Sequence, residues 1–443
     1  MLVPVLCLAQ FIDVKGVTVL IVAMPAMLTD LGAGQTMATI VLTSYAAVFG
    51  GALVLGARVS DRYGHRCVLV AGVAVFGLAG LLGAVSDSIL GVVVARSLQG
   101  AAAAFTVPAA LRLLSDATPD PKDRARALSA WSSTGAAAGA TGFLLGGVLT
   151  DTLGWRSIFA IDVLLAVVII AAIVVLVSRN AADREVALNV VGAALLTSGA
   201  MLLVIAATLL QIPERRLPGA AVLLLGGVAS VIFYRWNRSS RSPLVPREVM
   251  QDHNARWGSW MAFLNTTTTT SVVVILTLFL QIEVGTSTAQ TSLALVPFSL
   301  TVILGSWAAG RVIRRLDRRA AISAGLMFIA VGNLLLLLAL DRPGLVVPVS
   351  MAVSGFGIGL SSVAATMLSG TVPQEIQSVS YGLNNTAAQM GSSLGTALLL
   401  LLAAAAQPLV RADIAGWVLA AGLALVGSVL AWTRIRSVDA VAN

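Results

Sequence analysis

The chain has 443 residues, of which 58% are hydrophobic and only 11% charged, with a formal net charge of +8. Soluble globular domains carry roughly 25% charged residues, so composition argues against a water-soluble enzyme and for an all-α integral membrane protein. The two cysteines, Cys7 and Cys67, lie in or beside apolar stretches and read as small packing residues, not as a disulfide framework or a redox pair.

Fourteen apolar runs follow one another, at about 2–28, 37–57, 67–85, 89–111, 127–149, 155–177, 188–210, 219–234, 256–281, 290–310, 320–340, 345–368, 381–405 and 414–433. A helix rising 1.5 Å per residue crosses a ~30 Å hydrocarbon core in about twenty residues, so each run predicts a transmembrane helix, the eighth being the shortest. The first run lacks a basic n-region and carries Asp13 and Lys15 inside it, which reads as a retained helix and not as a cleaved signal peptide.

Charge placement sets the expected orientation. Of the 28 lysines and arginines, Lys15 and Arg96 fall inside runs. With the amino terminus in the cytoplasm, alternate loops place only Arg156, Arg215, Arg216, Arg342 and Arg411 outside, and the other 21 inside, from Arg58 to Arg436. This is the positive-inside asymmetry, and it predicts both termini in the cytoplasm. The surplus charge is thereby explained by topology, with no nucleic-acid partner.

The connection Ala57-Arg-Val-Ser-Asp-Arg-Tyr-Gly-His-Arg66 aligns without gaps on Gly310-Arg-Val-Ile-Arg-Arg-Leu-Asp-Arg-Arg319, with Arg314 standing where the first copy has Asp61. Gly142 and Gly146 in the fifth run match Gly391 and Gly395 in the thirteenth at nearly the same offset. Such internal repeats are a mark of secondary transporters. They divide the chain into an N-terminal six-helix bundle (1–178), two inserted helices with a polar linker (179–254) and a C-terminal six-helix bundle (255–443). The stretch Arg235 to Asn254, with its Ser-Ser-Arg-Ser-Pro run, reads as a solvated cytoplasmic linker. No nucleotide-binding Gly-x-x-x-x-Gly-Lys-Ser/Thr loop and no cluster of metal ligands occurs, so uphill work would have to draw on an ion gradient.

Several motifs together resemble the major facilitator superfamily, in particular its fourteen-helix drug:proton antiporter branch. Asp61, Arg62, Gly64 and Arg66 match the family's Gly-x-Leu-Ala-Asp-Arg-x-Gly-Arg-Arg connection between helices two and three. Arg96-Ser-Leu-Gln99-Gly100 matches its Arg-x-x-Gln-Gly motif in helix four. Gly135, Gly139, Gly142, Gly146 and Gly147, followed by Gly154-Trp-Arg156, resemble its antiporter motif, with Phe143 where proline is usual. Val19-Leu-Ile-Val-Ala-Met-Pro25 is similar to the end of its first helix, but Gly16 stands where the family has an aspartate, and Asp13 sits one turn earlier. The resemblance implies two six-helix bundles plus two inserted helices, no enzymatic activity, no cofactor beyond the proton as coupling ion, and an arginine at position 96 that takes part in proton coupling.

The residues themselves give these expectations physical content. A charged carboxylate near the bilayer midplane costs ~2.5–3.5 kcal/mol on insertion scales, and a group kept at that cost points to function. Desolvation favours the neutral form of Asp13 and a nearby cation favours the ionised one, so changing access to water or to Arg96 would switch it; we expect Asp13 to carry the proton. The rival is a static ion pair with Lys15 or Arg96, although positions i and i+2 on a helix face apart. Lys15 is too deep to snorkel and must be paired, deprotonated or facing a cavity; Asp162 or an acidic group on a substrate are the candidate partners. Arg96 stays charged and either couples to the proton or ties helix four to neighbouring carbonyls. Small residues at every third or fourth position of helix five suit a close-packed face shared with the other half. Substrate contacts are sought at Lys15, Gln99, Asp162, Trp260, Asn265, Gln281, Asn384, Asn385 and Gln389; the Thr266–Thr270 run is discounted because such hydroxyls bond their own backbone. His65 and His253 are expected to be solvated. Asp61 at the start of helix three, with Arg62, Gly64, Arg66, Arg112 and Asp116, would form a latch closing the cytoplasmic side.

The expected protein is a proton-coupled exporter of small, largely apolar organic compounds, a monomer in a bacterial inner membrane, with the lipid bilayer and a small-molecule substrate as its partners. The rivals are a specific metabolite transporter or importer of the same fold, and a non-transporting scaffold or sensor.

Overall fold

The computed structural model describes residues 2–34, 36–118, 120–177, 189–210, 212–240, 243–245, 247–340, 343–406 and 409–435. The boundary drawn at 178 and 179, together with Arg179, Arg184, Arg241, Arg342 and Arg436, lies outside them. The helices are α1 (Leu2–Asp30), α2 (Thr36–Tyr63), α3 (His65–Ala84), α4 (Ile89–Asp116), α5 (Pro121–Leu153), α6 (Arg156–Leu176), α7 (Val190–Leu209), α8 (Arg216–Ser239), α9 (Arg247–Gln251), α10 (His253–Leu278), α11 (Thr288–Arg315), α12 (Arg318–Leu335), α13 (Pro343–Ser369), α14 (Gln374–Met390), α15 (Thr396–Ala405) and α16 (Ala412–Arg434). A π-helical turn extends α10 over Phe279–Glu283, and another, Gly391–Gly395, joins α14 to α15. Among the described residues, thirteen spans are long and apolar enough to cross a membrane, and the apolar part of α5, Ala137–Leu153, is a shorter apolar helix.

Helix packing repeats. The neighbours α1–α5, α2–α4, α3–α4, α3–α6 and α1–α6 have counterparts in α10–α14, α11–α13, α12–α13, α12–α16 and α10–α16. Contacts between the two sets run mainly through α5 with α11 and α2 with α14, while α7 lies against α2 and α8. One apolar cluster fills the first set around Leu6, Leu69, Phe76 and Ile169, and another fills the second around Met261, Ile322 and Leu360. A third joins the sets through Ile21, Val22, Phe143, Val272, Leu276 and Leu295, so Phe143, standing where relatives place proline, is a packing wedge.

The helix-five glycines face two ways. A Cβ on Gly135, Gly142 or Gly146 would meet α1 at Gln10, Thr18 or the Val19 carbonyl, whereas one on Gly139 or Gly147 would meet Ser299 or Ser292 of α11. The expected single face shared with the other half is therefore corrected: most of the stripe lets α5 approach α1, as Gly391 and Gly395 let the thirteenth span approach Phe263 and Thr267 of α10. Small residues allow such backbone contact where apolar burial gives no net attraction in lipid.

Two connections differ from expectation. The Ala57–Arg66 segment is helical up to Tyr63, and only Gly64 breaks it, at φ 91° and ψ 130°, a left-handed conformation that costs glycine no Cβ clash. The polar linker is solvated only in part: Arg235, Arg238, Ser239, Arg247, Glu248 and Gln251 are exposed, but Asn237, Leu244, Val245 and Val249 are buried. Asn237 Nδ2 donates to the Val245 carbonyl (3.0 Å) and its Oδ1 accepts from Val245 N (3.1 Å), so one amide satisfies both polar groups of a buried backbone residue. Leu244 and Val249 are fully buried, the latter against Ala255, Val372 and Leu383. Arg58 Nη2 of α2 donates to the Pro243 carbonyl (3.1 Å), and His253 Nε2 donates to the Arg434 carbonyl (2.7 Å). The segment is a strap that touches both helix sets. Replacing Asn237→Ala leaves two buried backbone groups unpaired, at a cost of about 1–3 kcal/mol; limited proteolysis of the detergent-solubilised protein should then cut the strap faster than in the parent, and an unchanged cleavage rate would contradict the packing described.

Candidate functional site

Asp13 and Lys15 sit in the middle third of α1, surrounded by apolar residues that make the helix almost equally hydrophobic on every side. A helix of that kind is buried on all faces, and its ionisable groups must find partners within the protein. Lys15, fully buried, pairs with Asp162 Oδ1 of α6, which is equally buried. Asp162 Oδ2 accepts from Gln99 Nε2 of α4 at 3.0 Å. One turn back on α4, Arg96 Nη1 donates to Gln99 Oε1 at 2.8 Å, and its guanidinium carbon lies 4.4 Å from the ring centroid of Tyr45 on α2. Four helices are thereby joined by one chain of polar contacts.

Asp13 stands apart from this chain. It is buried, and its Oδ1 has no hydrogen-bond partner among the described residues. Arg96 is within electrostatic reach without an ion pair at contact distance. A Cβ on Gly16 would stand 3.8 Å from Arg96 Nη1 and 3.5 Å from Phe76, so position 16 faces the guanidinium directly and Asp13 lies one turn away on the same helix.

Beside Arg96 lies a narrow cavity between the two helix sets. Val17, Ile21, Leu42, Ala46 and Val274 give it apolar walls, and Thr43, Tyr45, Arg96, Gln389 and Ser392 give it polar ones. Of the expected substrate contacts, only Gln389 lines it. Lys15, Gln99 and Asp162 are engaged with one another. Asn265 Oδ1 accepts from Ser361 Oγ (2.8 Å), and Asn384 accepts from Ser369 Oγ (3.0 Å) while donating to Thr366 Oγ1 (3.3 Å). Gln281 Nε2 donates to the Val22 carbonyl (2.9 Å); near it Asp151 Oδ2 accepts from Ala289 N (3.0 Å), so the two bonds hold the helix sets together at the end away from the basic connections. Asn385 is partly buried, and Trp260 is 60% exposed, edge-on to Phe263. Thr266, Thr267, Thr268 and Thr269 bond back to carbonyls one turn earlier, with Thr266 also reaching the Ala388 carbonyl at 2.6 Å, whereas Thr270, discounted with them, lines the cavity.

At the basic end, His65 is buried, contrary to expectation. Its Nδ1 lies 3.1 Å from Ser60 Oγ and its Nε2 3.8 Å from Asp61 Oδ1, with the Arg112–Asp116 pair (3.4 Å) close by. Arg66 donates to the Val174 carbonyl at the end of α6 (3.0 Å), and Arg62 lies over Tyr63. The expected latch therefore has a histidine at its centre. At the other end, Arg156 ties Asp30 (2.5 Å) to Asp87 (3.2 Å), and Arg411 ties Glu283 (3.6 Å) to Asp413 (2.9 Å), at equivalent places in the repeat. Tyr45 and the π turn were not singled out from sequence, because an aromatic in an apolar helix reads as core; the fixed spacing of Arg96 and Gln99 is the one sequence signal for that end of the chain.

Apolar helices in a repeated packing pattern, with buried ionisable groups beside a cavity between the repeats, define a multi-pass membrane transporter of the secondary kind. A sequence profile described as Major Facilitator Superfamily matches residues 6–396 and again 258–442, and the chain belongs to that superfamily. It is 32% identical over 405 residues to the cephamycin export protein CmcT of Amycolatopsis lactamdurans, covering 89% of this chain and 83% of that protein. It is 30% identical over 458 residues to the puromycin resistance protein pur8 of Streptomyces alboniger, covering 98% and 90%. Among solved structures, the D-xylose-proton symporter superposes with a TM-score of 0.69 at 12% identity, over 98% of this chain and 97% of that one, a likeness of fold alone. The family and its neighbours are transporters and not enzymes.

Tyr45 meets Arg96 through its ring, and its hydroxyl has no hydrogen-bond partner among the described residues. Tyr45→Phe should leave transport by purified protein in liposomes unchanged, and Tyr45→Leu should lower it by removing a cation–π contact of about 0.5–2 kcal/mol; equal rates for both variants would remove the ring from the site.

Proposed function

We propose that the protein is a proton-coupled exporter of small, largely apolar organic compounds, working as a monomer in a bacterial inner membrane. In this reading fourteen helices cross the membrane with both termini in the cytoplasm, as bundles of six from 1–178 and 255–443, and residues 179–254 supply the inserted pair and strap. Residues 13 and 96 form the coupling site, the Asp61, Arg62, Gly64, Arg66, Arg112 and Asp116 cluster the cytoplasmic latch, and the glycines of α5 the tightly packed hinge. The printed functions of the relatives, cephamycin export and puromycin resistance, support export; the mostly apolar cavity walls with a few polar groups support the substrate class.

The observation that carries the reading is Asp13, a buried carboxylate with an unpartnered oxygen one turn from the position that faces Arg96. Such a group has two tolerable states, neutral or ionised with the arginine as counter-charge. A proton arriving from outside neutralises Asp13, releases Arg96 from it, drives substrate release outward and resets the carrier. Each charge moved through 100 mV supplies ~2.3 kcal/mol, enough for more than tenfold accumulation per proton. The Gln281–Val22 and Asp151–Ala289 bonds would close the outer path and leave the carrier facing the cytoplasm.

Asp13→Asn is expected to abolish proton-driven flux in inverted vesicles while leaving substrate counterflow intact. Adding Gly16→Asp to that variant should restore part of the driven flux, because the new carboxylate points at Arg96. Full driven flux in Asp13→Asn alone would refute the coupling assignment.

A further inference from the structure

Lys15 and Asp162 are the two buried charges that the coupling site does not use. Their side chains are 0% and 2% exposed, and neither lines the cavity beside Arg96, so they are not walls of that cavity. A buried ion pair is weak grounds for stability, since desolvation offsets its attraction. Something else must account for its place beside the coupling site.

The hydrogen bonds give the reason. An ionised carboxylate only accepts and a guanidinium only donates. The Gln99 amide lies between the two, with Nε2 on Asp162 and Oε1 on Arg96. Rotating the amide by half a turn would set its oxygen against the carboxylate and its NH2 against the guanidinium, both repulsive. The charge on Asp162 therefore fixes which end of Gln99 meets Arg96. Lys15 in turn pairs with Asp162, which holds that carboxylate on α1 and Gln99 and leaves the amide between it and Arg96. The groups that act on Arg96 are Asp162 from α6 and Asp13 from α1, Tyr45 from α2 and Gln99 on its own helix, and Lys15 from α1 reaches it only through Asp162. Both carboxylates act on Arg96, Asp162 more strongly than Asp13; Asp162 is already held by Lys15 and Gln99, and Asp13 is the one whose oxygen lacks a hydrogen-bond partner among the described residues.

We propose that Lys15, Asp162 and Gln99 are positioning residues for Arg96: the Lys15–Asp162 pair fixes the polarity of the Gln99 amide, and the amide aims the guanidinium at the level of Asp13. The inference rests on the coupling site described above and assigns to these three residues a task other than touching substrate.

A charge reversal separates positioning from simple bracing. The double variant Lys15→Asp/Asp162→Lys keeps a neutral buried pair but sets an ammonium against Gln99, which turns the amide and brings its NH2 to Arg96. A bracing pair tolerates the reversal. A polarity relay does not, and proton-driven flux in proteoliposomes should fall on the order of 10- to 100-fold, the usual consequence of misplacing a reacting group by about 1 Å, with a displaced pH profile and an unchanged substrate KM in counterflow. Gln99→Leu keeps the native pair and deletes the link; it should show the same loss and decides the matter if the reversed protein does not fold. Arg96→Gln sets the level of complete loss for both. Parental flux and pH profile in Gln99→Leu, or in a folded charge reversal, would overturn the relay, as would parental flux in Arg96→Gln. Asp13→Asn, measured in parallel, reports on the proton carrier separately: full driven flux there discards Asp13 while the relay is still judged on Arg96-dependent flux.

Discussion

The ion pair between Lys15 and Asp162 constrains everything around it. Two side chains with almost no exposure cannot be left single in a hydrocarbon slab, where an isolated charge costs several kcal/mol even on lenient scales. They must meet, and their meeting fixes α1 against α6. It also uses up one cation and one carboxylate of the four ionisable groups at this level. What is left is asymmetric: a guanidinium held by Gln99 and Tyr45, and an acid, Asp13, whose buried oxygen has no donor among the described residues. The fixed pair makes the free acid free.

The duplication supplies the frame but not the chemistry. Helices of the second set pack on one another in the order of the first, and glycines bring the thirteenth span to α10 as they bring α5 to α1. Yet at depths where the first set holds charges, the second holds neutral amides and hydroxyls. Asn265 accepts from Ser361, and Asn333 donates to the Thr268 carbonyl at 3.1 Å. Neutral polar groups satisfied by hydrogen bonds are far cheaper to bury than charges. The buried ionisable groups at this level therefore belong to one set, and the other meets it with neutral, hydrogen-bonded groups.

Much of this was legible in the sequence, for definite reasons. The apolar runs coincide with the helices to within a few residues, because hydropathy over twenty residues is the physical requirement for crossing a bilayer. The helices overrun the predicted ends where arginine-rich turns stay helical, as α2 does up to Tyr63. Asp162 was nameable as a partner for Lys15 because a buried ammonium has few possible acceptors. Gln99 was visible only as part of a motif, and its orientation depends on contacts 63 positions apart that no local pattern records. The strap was misread because polar composition reports affinity for water, whereas Asn237 uses its polarity to satisfy buried backbone.

The two basic turns show how the repeat was put to unequal use. In the first, Gly64 takes a positive φ, and the chain reverses within one residue, bringing His65 over Ser60 and Asp61. Its counterpart in the repeat is Asp317, whose backbone is extended and whose carboxylate accepts from Ala320 N at 2.7 Å and from Arg319 Nε at 2.6 Å. That carboxylate is spent on capping α12. Asp61 instead lies 3.8 Å from His65 Nε2, and where it stands the second copy has Arg314, which cannot replace it opposite a cation. A glycine that closes the turn without a side chain leaves the neighbouring acid available for contacts with other helices; an aspartate in the turn consumes its own charge locally. The first turn thereby sets its acid beside a histidine, and the second spends its acid on the helix that follows.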